Sequence, residues 1–383
     1  MKPASRSLLV HGWRGIPHSY AVVNQWTLLA LRHRSDISVH VRDARFYRDD
    51  WTPLSGLYSK EEEDYLNSLP SAPEGPCDAE FRICYPASYG DLIHRRTAVF
   101  GTSEYKVIKP GDLQSSADFQ LARQRQDVLV VTPSRWSAEG FLRHGFPEER
   151  ILVVPHGVDV ARFHPDPDRR LALKEWLGVQ GFVFLSIGAM TGNKGMSFLL
   201  RAFAVVARQR PEVHLFLKGS DHIYPSGHML NQLLEALTPA EQAAIQGRLT
   251  YHGTPLSMDD MASLYQAADA YVSPYRAEGF NMPVLEAAAC GLPVICTRGG
   301  ATDDFVEDTF AKRIESRTVS FDLDGLSAER LEPDFDHLVT HMLTVVDDAA
   351  WREAASTAAA EHVRRHYTWE QVTETLLDGL FKR

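Results

Sequence analysis

One strand–loop–helix–strand unit in the C-terminal half constrains the fold more than any other stretch. The apolar run at residues 270–275 predicts a buried strand, and the polar loop at residues 276–282 follows it. Pro283 is typical of the first turn of a helix and Gly291 of its C-terminal cap. The apolar run at residues 293–297 predicts the next buried strand. This order predicts a parallel α/β sheet, which binds ligands where strands end and helices begin.

The loop and the helix start combine an anion site with two carboxylates. Backbone N–H groups ahead of a helix favour anions such as a diphosphate. Glu278 and Glu286 would repel that anion, so we expect their partners to be hydroxyl groups, because a carboxylate accepts two hydrogen bonds from a vicinal diol. A diphosphate and diols occur together in a nucleotide sugar. The backbone groups in question belong to Gly279, Phe280, Asn281 and Met282.

These residues resemble the signature of a known family. Glu278 and Glu286, with Gly279, Phe280 and Pro283 between them, are similar to the E-x7-E motif of retaining GT-B glycosyltransferases of family 4, the glycosyl transferases group 1. The resemblance implies an α/β chain with two doubly wound Rossmann-like domains facing a cleft. The alternative is an ordinary α/β unit with two solvated glutamates.

Length and charge agree with two domains and argue against one class of partner. A chain of 383 residues is long for one core, so we expect two domains of ordinary size. Residues 1–155 hold 19 basic and 19 acidic side chains, which leaves 21 of the 40 basic and 31 of the 50 acidic ones for the remainder. The C-terminal part is therefore acidic, which excludes nucleic acid as the expected partner.

The cysteines and the apolar runs indicate a compartment. The four cysteines show neither zinc spacing nor a disulfide framework, so we expect a reducing environment. The N-terminus passes almost directly into a predicted strand, and no apolar run approaches about 18 residues. The sequence predicts a cytoplasmic protein without a signal peptide or membrane span. It leaves open a weak peripheral contact with a membrane and does not indicate an oligomeric state.

Two strand ends in the N-terminal half supply candidates for binding an acceptor. Gly15, His18 and Ser19 lie in the Gly/Pro loop between the first predicted strand and a helix. The family resemblance assigns this loop to the acceptor. Glu104 follows another predicted strand and is a candidate to orient an acceptor hydroxyl. The alternatives are a solvated loop histidine for His18 and an internal salt bridge for Glu104.

Residues 44–80 form a long polar stretch with a short predicted helix at residues 61–69. Loops of this length are usually functional lids or disordered. Trp51, Tyr58 and Tyr65 suggest stacking on sugar faces, and anchoring of the segment to the core is an equal alternative. We expect this segment, with the Gly15 loop, to govern the acceptor rather than the donor.

The predicted domain boundary lies where prolines and charges accumulate after the strand at residues 151–155. The sequence there resembles the interdomain crossing of the same glycosyltransferases. We assign residues 1–156 to an acceptor-side domain and residues 157–366 to a nucleotide-sugar domain. The resemblance implies that the last helix, within residues 367–383, returns to the first domain.

The second domain begins with a predicted strand at residues 182–187 and a glycine-rich turn before a helix. Gly188 opens this turn, and Lys194 adds a point charge to an anion site at the helix start. The resembled family usually has arginine directly after the first glycine, and this chain has Ala189 there. This departure leaves open how strongly and in what manner a diphosphate binds.

The resemblance implies a hexosyltransferase that moves a sugar from a UDP- or GDP-linked donor to an acceptor hydroxyl, with retention of configuration. It assigns the ribose diol to Glu286, and the donor sugar and phosphate to Glu278 and the amides of residues 279–282. Lys194 would neutralise the leaving diphosphate. We expect no metal and no cofactor beyond the co-substrate. The acceptor would be a glycan, a lipid-linked sugar or a small molecule, as in polysaccharide biosynthesis.

Three alternatives remain open from the sequence. A related nucleotide-sugar epimerase shares the architecture but fits the E-x7-E spacing poorly. A pyridoxal-dependent phosphorylase also has this two-domain architecture but is usually a much longer chain. A non-catalytic nucleotide-sugar-binding protein is suggested by Ala189, and measurable transfer or hydrolysis of a donor would exclude it.

Overall fold

The computed structural model describes residues 6–381. The predicted ranges 1–156 and 367–383 include residues 1–5 and 382–383, which lie outside the described residues. The chain divides into two compact units. The first contains the chain up to Gly157, Asp322–Ala328, and the chain from Trp369 onward; the second contains Val158–Phe321 and Glu329–Thr368.

The first unit is built on a six-stranded sheet in the order β2-β1-β3-β4-β5-β6, in which all neighbours are parallel. Leu8 and Leu9 of β1 are fully buried, and the central strand β3 also buries Glu80, which is paired with Arg82 at 2.7 Å. The strands are β1 (Arg6–Gly12), β2 (Ile37–Asp43), β3 (Ala79–Ile83), β4 (Thr97–Phe100), β5 (Val128–Thr132) and β6 (Ile151–Val153). The helices are α1 (Ser19–Leu31), α2 (Lys60–Ser68), α3 (Ser116–Ala122) and α4 (Arg135–Arg143).

The second unit has a six-stranded sheet in the order β12-β11-β10-β7-β8-β9. Its strands are β7 (Phe182–Ile187), β8 (Val213–Lys218), β9 (Leu249–His252), β10 (Ala270–Ser273), β11 (Val294–Thr297) and β12 (Ala311–Ile314). Its helices are α5 (Arg170–Leu177), α6 (Met196–Gln209), α7 (Ser226–Glu235), α8 (Pro239–Ile245), α9 (Met258–Ala267), α10 (Met282–Ala289), α11 (Phe335–Asp347) and α12 (Ala349–His366). The chain ends in α13 (Trp369–Phe381), which belongs to the first unit.

The predicted α/β class with two doubly wound parallel sheets is confirmed. The strand–loop–helix–strand unit of the opening prediction is β10, α10 and β11, joined in one parallel sheet. Gly291 has a φ of +72° and lies just after α10. Its N–H donates to the carbonyl of Ala288 and that of Leu292 to Ala287, which closes the helix with a glycine in the left-handed conformation.

A two-stranded sheet that was not among the predicted elements is formed by β13 (Ser316–Leu323) and β14 (Leu326–Pro333). Asp324 and Gly325 connect the strands, and both have positive φ, 55° and 81°. Two such residues are typical of a tight hairpin turn. The sequence does contain a signal for this hairpin, because Val319, Phe321 and Leu323 alternate with polar residues directly before an Asp-Gly turn.

Candidate active site

Two neighbouring strands bring the predicted donor residues together. β10 pairs with β7, with Tyr271 opposite Leu185, so the loops that follow both strands lie at the same edge of the sheet. The carbonyl oxygen of Asn193 accepts the N–H groups of Arg276, at 2.7 Å, and Ala277, at 3.2 Å. The glycine-rich turn after β7 is therefore bound to the loop that contains Glu278.

Two glycines allow this close approach. Gly195 has a φ of +70°, and a Cβ atom there would lie 1.9 Å from the carbonyl oxygen of Pro274. A Cβ atom at Gly188 would lie 3.3 Å from Cε of Lys194. Gly195 thus lets the turn pack against the end of β10, and Gly188 leaves room for the lysine side chain.

Lys194 and Glu278, the two predicted catalytic residues, form an ion pair. Nζ of Lys194 lies 2.5 Å from Oε1 of Glu278, and the two side chains are 21% and 5% exposed. Burial strengthens such a pair, and loss of one partner would leave a charge with little solvent around it. Each group therefore holds the other in position.

Glu286 lies on α10 and has a hydroxyl partner that the sequence did not indicate. The hydroxyl of Tyr265, on α9, donates to Oε2 of Glu286 at 2.6 Å. Burial raises the pKa of the Glu286 carboxyl to about 7, and the bond from Tyr265 offsets part of that increase. A carboxyl so near its ionisation midpoint gains from additional hydroxyl donors, because they stabilise the charged form.

The loop between the two glutamates is tightly packed. Glu278, Phe280 and Asn281 are each at most 5% exposed. The ring of Phe280 stacks on Phe305 with centroids 4.6 Å apart. Asn281 has a φ of +75°, and its Nδ2 donates to Oγ of Ser273 at 2.9 Å. This loop turns sharply through Asn281 into α10, with Gly279 and Met282 on either side of the turn.

The two arginines nearest the predicted phosphate site are engaged elsewhere. The guanidinium of Arg276 is paired with Glu332 on β14. Arg298 lies 2.6 Å from Glu315 and 3.6 Å from Asp308. The guanidinium of Arg276 also lies 5.9 Å from the ring centroid of Phe198, in the first turn of α6, directly after the turn in which Ala189 occupies the position of the family arginine.

In the first unit, His18 is the N-terminal cap of α1. Its Nδ1 accepts the backbone N–H of Tyr20 at 3.2 Å, so the neutral ring has its proton on Nε2. Burial lowers the pKa of His18 to about 4. Gly15 has a φ of +77° and donates its N–H to Gln25, while Ser19 begins α1 and is exposed. The His18 ring is therefore uncharged at neutral pH.

Glu104 follows β4 and lies near α1. The hydroxyl groups of Tyr20 and Thr102 are 3.2 Å apart, which joins the start of α1 to the end of β4. The Glu104 carboxylate helps to raise the pKa of Tyr20, although burial is the larger cause. The structure therefore brings His18 and Glu104 into one neighbourhood through Tyr20.

Two aromatic residues of the long polar segment anchor it. Trp51 and Tyr58 are each 6% exposed. Tyr65 is partly buried and donates its hydroxyl to the carbonyl of Leu28. The sequence left open whether these aromatic residues stack on sugars or anchor the segment to the core. In the structure, Trp51 and Tyr58 are buried and anchor the segment.

Sequence reasoning missed Tyr265, Asn193, Glu332 and Lys218. Tyr265 and Glu332 act through contacts between distant parts of the chain, so no local pattern marks them. Lys218 lies at the end of β8, is 5% exposed and donates to the carbonyl of Gly219; burial lowers its pKa to about 8. A lysine that ends an apolar strand directly before a glycine was a visible signal for this buried cation.

Two general properties of the described chain concern metals and membranes. Within residues 6–381, no group of three or more His, Cys, Asp or Glu side chains is arranged to hold a metal ion. Among the helices that the structure describes, none combines the length and apolarity needed to cross a membrane. The four cysteines are buried free thiols.

Part of the chain is similar in sequence to known glycosyltransferases. The family model described as Glycosyl transferases group 1 matches residues 181–320. The mannosylfructose-phosphate synthase of Agrobacterium fabrum is 27% identical over 237 residues, or 61% of this chain and 48% of the relative. The D-inositol 3-phosphate glycosyltransferase of Mycobacterium tuberculosis is 30% identical over 251 residues, or 66% of this chain and 48% of the relative. The chain spans about half the length of these curated relatives.

Solved structures match the whole chain at low identity. The crystal structure of Anabaena HepE in complex with UDP and glucose aligns with a TM-score of 0.68 and 16% identity, covering 99% of this chain and 100% of that chain. At this identity the likeness concerns the fold, and it extends over both units. The chain therefore has the GT-B fold, and residues 181–320 of its second unit match the Glycosyl transferases group 1 family model.

Proposed function

We propose that this chain is a retaining, metal-independent hexosyltransferase that moves a sugar from a nucleotide-sugar donor to an acceptor hydroxyl. The observation that supports this most directly is the ion pair of Lys194 and Glu278 at the edge of the second sheet, where ligands of parallel α/β folds bind. The curated relatives are named as a glycosyltransferase and a synthase, and the HepE structure contains UDP and glucose.

In this proposal, the carboxylate of Glu286 accepts hydrogen bonds from the two hydroxyl groups of the ribose. The donor sugar and the phosphates contact Glu278, the backbone amides of residues 279–282, and Gly188. Lys194 exchanges its partner Glu278 for the diphosphate, whose charge grows as the bond to the sugar breaks. A fixed cation aimed at developing charge stabilises the transition state more than the ground state.

The proposed reaction takes place on one face of the donor sugar. The bond between the anomeric carbon and the diphosphate breaks, and the acceptor oxygen forms its bond on the same face. The acceptor proton passes to an oxygen of the leaving diphosphate, so the configuration is retained without a protein base. The neutral His18, whose Nδ1 is already an acceptor for Tyr20, fits a role as a hydrogen-bond donor to the acceptor hydroxyl.

The donor in this proposal is UDP- or GDP-linked, with no further cofactor. The acceptor is a glycan, a lipid-linked sugar or a small molecule and contacts the first unit through Gly15, His18, Ser19 and Glu104. A cytoplasmic location and a role in polysaccharide biosynthesis fit this chemistry.

The proposal is tested by measuring the binding and transfer of a panel of UDP- and GDP-sugars in the presence of saccharide acceptors. We expect saturable binding of one donor, transfer in the presence of EDTA, and a product with the anomeric configuration of the donor, observed by NMR. An inverted product would exclude retention, and activity that returns only with added Mg²⁺ or Mn²⁺ would exclude metal independence. Binding without transfer or hydrolysis would identify a binding protein, and isomerisation of the donor sugar an epimerase.

A further inference from the structure

Aromatic rings from different loops meet at the carboxyl edge of the first sheet. Tyr47 follows β2 and Tyr85 follows β3, and their rings are 5.0 Å apart at an angle of 73°. Because β1 lies between β2 and β3, the segment after β2 must cross the end of β1 to make this contact. The Tyr47–Tyr85 pair therefore lies over the strand end whose loop contains His18.

Buried tryptophans hold this crossing in place. Nε1 of Trp13 donates to the carbonyl of Arg45 at 2.9 Å, and the ring of Trp51 lies 5.6 Å from Trp13. The same Trp51 ring lies 5.5 Å from His18 and 6.4 Å from Tyr47. The chain beside Tyr47 is thus anchored on both sides.

Tyr47 is nevertheless 55% exposed, although both neighbouring anchors are buried. Tyr85 is partly buried, and its hydroxyl donates to Oδ1 of Asp112 at 3.1 Å. An exposed tyrosine with a fixed neighbour offers a flat apolar surface, and ordering it on a ligand costs little side-chain entropy. Pyranose rings have apolar C–H faces that pack on such a surface, while their hydroxyl groups remain available to polar groups.

The charges at this edge disfavour a phosphorylated ligand. We define the edge loops as residues 13–18, 44–51, 84–91 and 101–109. A phosphate group is usually bound by arginine or lysine side chains that have no competing carboxylate. Here the basic side chains of the edge loops already face carboxylates, in the pairs Arg14–Asp43 at 2.7 Å, Arg45–Asp49 at 2.6 Å, Arg48–Asp50 at 2.8 Å, Lys106–Glu139 at 2.7 Å and Lys109–Asp112 at 3.9 Å.

We propose that Tyr47 and Tyr85 form an acceptor subsite for a neutral pyranose, the unphosphorylated sugar of a saccharide. The inference rests on the proposed transferase function and names the class of its acceptor. The sugar stacks on the exposed ring of Tyr47, which the contact with Tyr85 holds in place. Sugar phosphates are weaker acceptors, because the carboxylate beside each of these cations repels a phosphate group and competes with it for the cation.

The test compares two sets of acceptors and three variants. The neutral set is methyl glucoside, methyl mannoside, methyl galactoside and maltose, and the charged set is glucose 6-phosphate, fructose 6-phosphate and inositol phosphate. We expect transfer to a member of the neutral set. Tyr47→Ala should raise the KM for that acceptor at least about tenfold and leave donor binding unchanged, while Tyr47→Phe, which keeps the ring, stays within about twofold. Leu121→Ala, at a residue of α3 that is 61% exposed, is the matched control for loss of an exposed apolar side chain.

The outcomes separate this inference from the proposed function. A protein that binds or hydrolyses a donor but transfers only to the charged set, or to neither set, overturns the neutral-pyranose subsite and leaves the donor site intact. An unchanged KM in Tyr47→Ala overturns it as well. A protein that neither binds nor turns over any donor overturns the proposed function, and the inference with it.

Discussion

Nζ of Lys194 lies 2.5 Å from Oε1 of Glu278, although 84 residues separate them in the chain. The pairing of β7 with β10 makes this contact possible, because it places the loops after these strands at one edge. A cation that a carboxylate already holds is ordered before a ligand arrives, and such preorganisation is what electrostatic stabilisation of a transition state requires.

Lys194→Ala should lower kcat at least about 10²-fold, because it removes the cation that faces the leaving diphosphate. It should also destabilise the fold, since it leaves Glu278 buried and unpaired. The double variant Lys194→Ala/Glu278→Gln should regain stability in thermal unfolding but not activity. Lys174→Ala is the control, because Lys174 forms an ion pair with Asp269 at 2.5 Å in the same unit. A loss of activity below about threefold in Lys194→Ala would contradict the assigned role.

Donor affinity should depend on pH through Glu286. The folded pKa of about 7 lies above the usual 4.5, so the carboxyl becomes protonated as the pH falls below 7 and loses acceptor capacity for a diol. We expect the affinity to be about tenfold weaker one pH unit below this pKa than on the alkaline plateau. Titration calorimetry across this range provides the measurement. Glu286→Gln should bind the donor at least about tenfold more weakly and show no such pH dependence.

The same pKa shift affects stability with a definite sign. Between 4.5 and about 7 the folded chain binds this proton more tightly than the unfolded chain. The free energy of unfolding therefore contains a contribution that is present at acid pH and decreases as the pH rises through this window. Glu286→Gln should abolish that slope in chemical denaturation. If instead the variant melts much earlier at every pH and keeps its donor affinity, Glu286 is structural.

Gly195→Ala should destabilise the second unit and weaken donor binding. The substitution combines a φ of +70° with a Cβ atom 1.9 Å from the carbonyl oxygen of Pro274, and such strain and overpacking together cost about 2–5 kcal/mol. Gly192→Ala, in the same turn, is the control, because no heavy atom lies within 4 Å of its added Cβ. Denaturant unfolding of both variants, compared with the parent chain, measures the difference. Equal stability of the two variants would show that the turn adapts freely.

Glu332→Gln should strengthen donor binding by about twofold to fivefold, the range expected for release from a partly exposed ion pair. Glu332 holds the guanidinium of Arg276, whose backbone N–H donates to Asn193 beside Lys194. A released Arg276 is free to approach the proposed diphosphate. It would then replace the family arginine whose position Ala189 occupies. Arg276→Ala/Glu332→Gln should lose the gain. Weaker binding in Glu332→Gln alone would show that the pair is needed to shape the loop.

Shortening the crossing segment at residues 44–51 should abolish transfer and preserve donor binding. These residues contact Trp13 and Tyr85 within the first unit, whereas the candidate donor residues lie in the second. Calorimetry with the donor and a transfer assay, on a variant with a cooperative melting transition, give the two readouts. Loss of donor binding in such a variant would argue against this division of labour.

Local pattern was sufficient for the first strand of the second unit and for the helix that follows it. Residues 182–187, an apolar run before a glycine-rich turn, form β7 with the predicted bounds. The helix predicted after that turn is α6. Such segments are short in sequence range and strongly patterned, so their secondary structure is determined locally. The short helices α3, α5, α7 and α8 were missed, because short polar or mixed segments depend on packing for their stability.

The sequence by itself determined the α/β class, the two parallel sheets, and the choice of Glu278, Glu286 and Lys194 as candidates, because strand ends and residue types specify these. Only the tertiary structure decided which groups meet. The pairing of Lys194 with Glu278, the hydroxyl of Tyr265 on Glu286, and the ring contact of Tyr47 with Tyr85 each join residues from different strand ends or helices. Such contacts depend on the order of strands in a sheet and on burial, and neither is encoded in the spacing of residues along the chain.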